Sequence, residues 1–221
     1  NIALSDKHVL TNLACHYLSA VGRHYEAIGI TNYNPDYISK DKNWQNVAIR
    51  LGNFCELHIA LGNLSEAIQI GKKSVYYADK SKSLSQIFSK RTTYAHALHQ
   101  LGHIDKSKHL FDEAERIQQI AQPEYSYLYA VSGYFFCSLL LSQGKFEDCL
   151  NRSRSSLNFA RKQGYGSILV IGLDELTIAN TYSLTKNPAA SEWYDKAVNN
   201  LIRSNETGYI LQAMIDRCYF Y

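Results

Sequence analysis

Four glycines at near-constant spacing constrain what this chain can fold into. Gly22, Gly62, Gly102 and Gly144 close the stretches "SAVG", "IALG", "HQLG" and "LSQG", 40, 40 and 42 residues apart. Each follows an apolar stretch of helical period and precedes another with a small residue in its first turn. Glycine tolerates the left-handed backbone that most often ends a helix. The pattern therefore predicts a helix, a tight turn and a second helix, repeated along the chain. A fifth turn is expected at "SLTKNPAAS", where Lys186 lies 42 residues beyond Gly144 and Asn187-Pro188 replaces the glycine signal.

Small residues keep the same register. Seven positions before the four turn glycines stand Cys15, Cys55, Ala95 and Cys137, and Ala179 precedes Lys186 by the same interval. Continuing the count reaches Cys218, in what is expected to be a sixth first helix. Five residues after each glycine come Ala27, Ala67, Ser107 and Cys149, with Ala190 in that place in the fifth repeat if its turn is one residue shorter. All five cysteines thus fall on two small-residue positions, where a short side chain lets paired helices approach and free cysteine acts as a small hydrophobe.

On these residues the chain resembles a tetratricopeptide repeat (TPR) array. The family's pattern, an aromatic or large residue, then Leu, a small residue, Tyr, Gly, Ala, an aromatic and Ala, is partly present throughout, and Ile178, Ala179, Tyr182, Ala190, Tyr194 and Ala197 match it in the fifth repeat. The third repeat offers Tyr94, Ala95, Leu98, Gly102, Ser107, Phe111 and Ala114. The second has Leu51, Phe54, Cys55, Gly62 and Ala67, with Gly71 where an aromatic is usual. The period exceeds the family's usual figure of about 34 residues, so the helices are expected to be longer. HEAT and armadillo repeats have periods near this one, but the glycine turn and small-residue register favour TPR. Longer repeats of this type resemble those of kinesin light chains, G-protein-regulator scaffolds and the sensor arrays of bacterial activators, NTPases and caspase-like proteases.

The resemblance implies an all-α fold, a right-handed α-solenoid of about five helical hairpins plus a truncated sixth first helix. It is expected to form a single domain over 1–221, with repeats near 5–43, 45–82, 85–121, 123–163, 167–203 and a partial one at 206–221. Helices are expected near 5–21, 24–33, 45–61, 64–81, 85–101, 104–120, 123–143, 145–163, 167–185, 188–203 and 206–221. Pro35 falls where the second helix of the first repeat should run, and proline there costs roughly 3 kcal/mol or more. That helix is expected to be short, broken or displaced.

Composition narrows the function classes. With 23 basic and 20 acidic residues the net charge is only +3, too mild for an electrostatic footprint on nucleic acid. Five cysteines without CxxC spacing suit neither a disulfide framework nor a zinc site, and a reducing, cytoplasmic setting is expected. The longest apolar run, "SILVIGL" at 167–173, is too short to span a bilayer, so no membrane partner is expected. The chain starts at Asn1 and ends inside a helical pattern, as a segment of a longer protein would.

Candidate chemistry is sparse. Cys55 and His58 stand three apart on one expected helix, a spacing that suits a metal or an activated thiol, but no further ligand lies nearby and no other repeat copies the pair. Packing is the better reading. His96 and His99 share a helical face and His103 follows Gly102, but no carboxylate or thiol accompanies them, so solvated groove residues are expected rather than a metal site. "GKKS" at 71–74 lacks the upstream glycine of a phosphate loop, and no other catalytic motif occurs. Lys72, Lys73, Lys80, Lys82, Lys90 and Arg91 form a basic run expected to be a solvated face. No enzymatic activity, cofactor or metal is expected, and nucleic acid is a disfavoured partner.

TPR arrays bind peptides or partner helices on the face lined by their first helices. The resemblance carries that face onto Asn12, His16, Glu56, Thr92, His96, His99, Tyr134, Ser138 and Asn180. The Lys and Asn needed for a carboxylate clamp of the chaperone-binding subclass are replaced by Asn12 and His16, which disfavours that role. "PEYSYLYAVSGYFF" (123–136) is the most aromatic stretch, and a helix there would align Tyr127, Val131, Tyr134 and Ser138, with Tyr127 and Tyr134 as candidate anchors. The expected function is a protein–protein interaction module for a peptide or partner domain, the sensor or regulatory part of a larger signalling protein. Two alternatives stand beside it: a self-assembly scaffold pairing copies through the terminal repeats, and the substrate-recruiting arm of a protease or NTPase on the same chain.

Overall fold

A computed structural model describes residues 4–31, 43–162 and 167–220 of the 221. All regular structure among the described residues is α-helical, and the chain divides into two compact units, Asn1–Ala121 and Gln122–Tyr221.

The first unit contains α1 (Leu4–Ala20), α2 (His24–Thr31), α3 (Trp44–Ala60), α4 (Leu64–Ser81), α5 (Leu84–Gln100) and α6 (Ile104–Ala121). The second contains α7 (Ala130–Ser142), α8 (Phe146–Lys162), α9 (Ile168–Leu184), α10 (Ala190–Ser204) and α11 (Thr207–Phe220). Within each unit successive helices pack as antiparallel pairs. First helices also meet the first helix of the next pair, α1 on α3 and α3 on α5 in one unit, α7 on α9 and α9 on α11 in the other. This is the neighbour-to-neighbour packing of a helical repeat.

The turns explain the spacing. At Gly22, Gly62, Gly102 and Gly144 the backbone is left-handed, with φ of 78°, 74°, 84° and 69°. The amide of the following residue reaches back to close each helix: Arg23 N–H to Leu18 O (2.7 Å), Asn63 to His58 (2.9 Å), His103 to Leu98 (2.8 Å) and Lys145 to Leu140 (3.0 Å). These are Schellman closures, which satisfy carbonyls that the helix end would leave orphaned. The expected fifth turn is built the same way, Asn187 N–H reaching Tyr182 O at 2.8 Å, and there Lys186 takes φ 56° without the freedom of glycine.

The small-residue register is what brings each hairpin together. Cys15, Cys55, Ala95, Cys137 and Ala179 are at most 3 % exposed, and Ala27, Ala67, Ser107, Cys149 and Ala190 are fully buried. Side chains at these places bond across the hairpin: Cys55 Sγ to Ala67 O (3.2 Å), Ser107 Oγ to Ala95 O (2.7 Å) and Cys149 Sγ to Cys137 O (3.6 Å). At Gly71 the usual aromatic is absent because Tyr94 of the next repeat fills its space, 2.9 Å from where a Cβ would stand.

Two expectations change. Cys218 is exposed, and Ala213 is the fully buried small residue of α11. The small position of a first helix is covered by its own second helix, and no described helix follows α11. The helix expected from 123 starts only at Ala130: Pro123 cannot donate a helical bond, Tyr129 is extended (φ −107°, ψ 159°), and Ala130 is left-handed at φ 57°. Leu128's carbonyl oxygen lies over Gly133, where a Cβ would collide with it. The stretch around Pro35 lies outside the described residues.

Candidate functional site

In the first unit the surface built by α1, α3 and α5 centres on Glu56, which is exposed and accepts a hydrogen bond from Thr93 Oγ1 at 3.1 Å. Asn12 is half-buried and His16 exposed on α1. Thr92, expected to face a ligand, is only 2 % exposed and donates to Ser89 O at 2.7 Å, because its side chain turns into the α5 packing rather than toward the surface. His96 and His99 are half-buried, and His103 is exposed. Burial, with a smaller contribution from His99, drives the His96 imidazole down to about 3, and burial lowers His99 as well. Both rings are held neutral.

Beneath Glu56 lies Lys90, only 6 % exposed. Its stem fits only because residue 52 is glycine: a Cβ there would stand 2.6 Å from Lys90 Nζ. Burial lowers the ammonium's pKa, while the Glu56 charge opposes that shift. The basic run does not form one solvated face. Lys90 is buried, Arg91 pairs with Asp79 (2.7 Å) and Glu113 (3.3 Å), and Lys80 lies over the Trp44 and Tyr76 rings. Salt pairs and ring contacts within the unit take up the charges of Arg91 and Lys80, while Lys72, Lys73 and Lys82 are exposed.

Cys55 and His58 serve packing. The thiol is fully buried and its pKa is pushed far up by burial, which makes it inert. His58 stands edge-on to Phe54 at 4.9 Å, and burial lowers its pKa. Among the described residues no group of three metal-ligating side chains converges.

In the second unit the first helices α7, α9 and α11 bring Tyr134, Asn180, Tyr209, Gln212 and Asp216 together. Asn180 Nδ2 donates to Asp216 Oδ2 at 2.8 Å and Gln212 Nε2 to Asp216 Oδ1 at 2.6 Å. Tyr194 OH, from α10, donates to Asn180 Oδ1 at 2.8 Å, which orients the amide. The rings of Tyr134 and Tyr209 meet edge to face at 5.7 Å. Burial, then the Asp216 charge, raises the Tyr134 phenol's pKa. Ser138 is half-buried, one turn beyond Tyr134.

Tyr127 does not join this group. It lies in a bend before α7, not on a helical stripe with Tyr134, and the Arg152 guanidinium covers its ring at 4.7 Å. Its neighbours Tyr125 and Tyr129 stack at 4.4 Å and pack on Phe159 of α8.

The buried heart of this unit is α9, where every residue from Gly172 to Ala179 is buried. Glu175 is satisfied there by Arg161 (3.0 Å) and Asn200 (2.8 Å). Asp174, 7 % exposed, has no well-formed hydrogen bond at Oδ2, although the Ser156 hydroxyl lies near enough to oppose the rise in its pKa. Burial, reinforced by the Glu175 charge, raises Asp174 to about 8.

Sequence reasoning put Lys90 on a solvated face and passed over Asp174 and Asp216. A signal for the first two was present: each stands five residues before the buried small residue of its helix, Ala95 or Ala179, as Arg50 does before Cys55. Asp216 carried no such signal, because its amide partners are on α9 and on its own helix. No helix among the described residues is long and apolar enough to cross a membrane. No protein-family model matches the chain, and no curated protein matches it.

Proposed function

We propose that this chain is a non-catalytic protein-interaction module, a TPR-like right-handed α-solenoid whose first-helix faces hold a peptide or partner segment. We place it in the sensor or regulatory part of a larger signalling protein. The observation that carries this reading is the packing of first helix on first helix within each unit, which gathers polar side chains from separate repeats onto one face. A face of that kind, built on rigid helices, suits an elongated ligand that touches several repeats at once.

The test is selection of peptides from a random displayed library against the 221-residue chain. Selected peptides are expected to lose at least about fivefold in affinity on Glu56→Ala or Gln212→Ala, as central interface contacts do. Lys72→Ala and Lys106→Ala, on second helices, are expected to leave affinity unchanged. Peptides sensitive only to the second-helix changes would overturn the reading.

Self-assembly has an observation of its own. α11 exposes Leu211, Met214, Ile215 and Tyr219, and α1 exposes Leu10, Leu13 and Tyr17, with Val21 exposed in the turn that follows. Light scattering across a concentration series decides it: a mass that stays at 25.1 kDa at the highest concentrations excludes this alternative.

A further inference from the structure

The carboxylate of Asp216 is built into the second unit like a recognition group. Both its oxygens are held, one by the Asn180 amide and one by the Gln212 amide, and Tyr194 fixes the first of those amides in turn. All these donors are neutral. The neighbouring cation Arg217 pairs with Asp195 at 2.7 Å, and no ion pair to Asp216 is found among the described residues. An ionised carboxylate has about four acceptor sites, and two amide bonds leave room for more donors. Beside it stand the rings of Tyr134 and Tyr209, edge to face, the former mostly enclosed and feeling the Asp216 charge. A fixed anion close to an aromatic pair suits a cation, through charge-assisted hydrogen bonds and cation–π attraction together.

From this geometry we infer that Asp216, with Tyr134 and Tyr209, forms a subsite for a basic side chain, lysine or arginine, presented by a peptide segment of a partner. The inference rests on the first-helix face being the binding face and adds the ligand's chemistry to it. The amide scaffold does the positioning. Asn180 and Gln212 hold the carboxylate in one orientation before any ligand arrives, so little ordering cost remains for binding. The ligand's ammonium or guanidinium supplies the missing counter-charge. Because Gln212 is exposed and Asp216 half-exposed, the pair is partly screened, and the affinity should fall as salt rises.

The experiment titrates the 221-residue chain with four peptides that differ at one central residue in a Gly/Ser frame: lysine, arginine, norleucine or glutamate. The readout is the side-chain amide resonances of Asn180 and Gln212, with affinities from the same titrations. The lysine or arginine peptide is expected to move both resonances saturably, with norleucine and glutamate at least about tenfold weaker. Asp216→Asn is expected to remove that preference. Tyr209→Leu, which leaves the carboxylate and its amide donors in place, is expected to weaken the basic peptides about fivefold and leave the circular-dichroism helix signal unchanged. A basic peptide that binds Asp216→Asn as tightly as wild type overturns the inference, as does equal binding of all four peptides. If norleucine or glutamate peptides bind this face instead, the basic-side-chain subsite fails while the interaction-module reading survives.

Discussion

Asp174→Asn isolates one buried proton and makes folding stability report on it. Asp174 lies on α9, 7 % exposed, with no well-formed hydrogen bond at Oδ2 and with Glu175 adjacent. Its pKa in the folded chain is about 8, against an ordinary value of 3.8. The folded protein therefore keeps this proton at neutral pH, while the unfolded chain releases it. Stability from this group is fully present below the unfolded value and falls as pH rises, until the folded carboxyl itself ionises near pH 8. The slope is about 1.4 kcal/mol per pH unit, so roughly three units between the unfolded pKa and pH 7 cost about 4 kcal/mol. Asparagine has the shape of the protonated acid and does not titrate, so it escapes this loss.

Urea unfolding of both proteins at pH 5, 6, 7 and 8 is the assay. The two curves are expected to lie close together near pH 4–5 and to separate steadily, with Asp174→Asn the more stable at pH 7 by a few kcal/mol. Curves that run parallel from pH 5 to 8 would show that Asp174 is ionised in the folded state, and the assignment of its environment would be wrong. A constant offset between the curves would measure only how asparagine fits the site; the change of their separation with pH is what reports the buried proton.

Three further outcomes are expected. Lys186→Gly, which relieves the left-handed φ of 56° at the fifth turn, should stabilise the protein by about 1 kcal/mol in the same urea assay, and no gain would mean that the turn is not strained. Gly133→Ala should destabilise by about 1–3 kcal/mol, because a Cβ there meets the Leu128 carbonyl, a backbone atom that cannot rotate aside. An unchanged thermal midpoint would refute that close approach. Cys55→Ala should cost about 1–2 kcal/mol through a small cavity, and dialysis against a chelator should leave the wild-type midpoint unmoved. A chelator-induced fall, or stoichiometric zinc in elemental analysis, would overturn the packing role of this thiol.

What could be deduced from the sequence was what each hairpin needs locally. A helix end that closes on glycine, and two helices that touch at a small residue, write themselves as a period of 40–42, and the described helices follow it within about two residues apart from α7. Even the turn without glycine was legible, because Lys186 holds its place in the count. The departure at 122–129 was not, although Pro123 gave a hint. The tyrosines there have helical spacing, and only the carbonyl of Leu128 resting on Gly133 shows that the chain enters α7 from an extended segment.

The side chains that decide the site depend on neighbours far away in sequence. Thr92 and Thr93 are adjacent in the sequence, yet the first bonds its own helix while the second reaches Glu56. Lys90 is buried because residue 52 has no Cβ, and Asp216 is held by an amide 36 residues earlier. The sequence by itself determined the helices, their turns and the close contacts within hairpins, since these rest on backbone conformation and residue size over short spans. Only the tertiary structure decided which ionisable groups are buried and which amides hold Asp216. Desolvation and charge pairing depend on every helix packed around a side chain, and a repeat's own residues do not specify its neighbours.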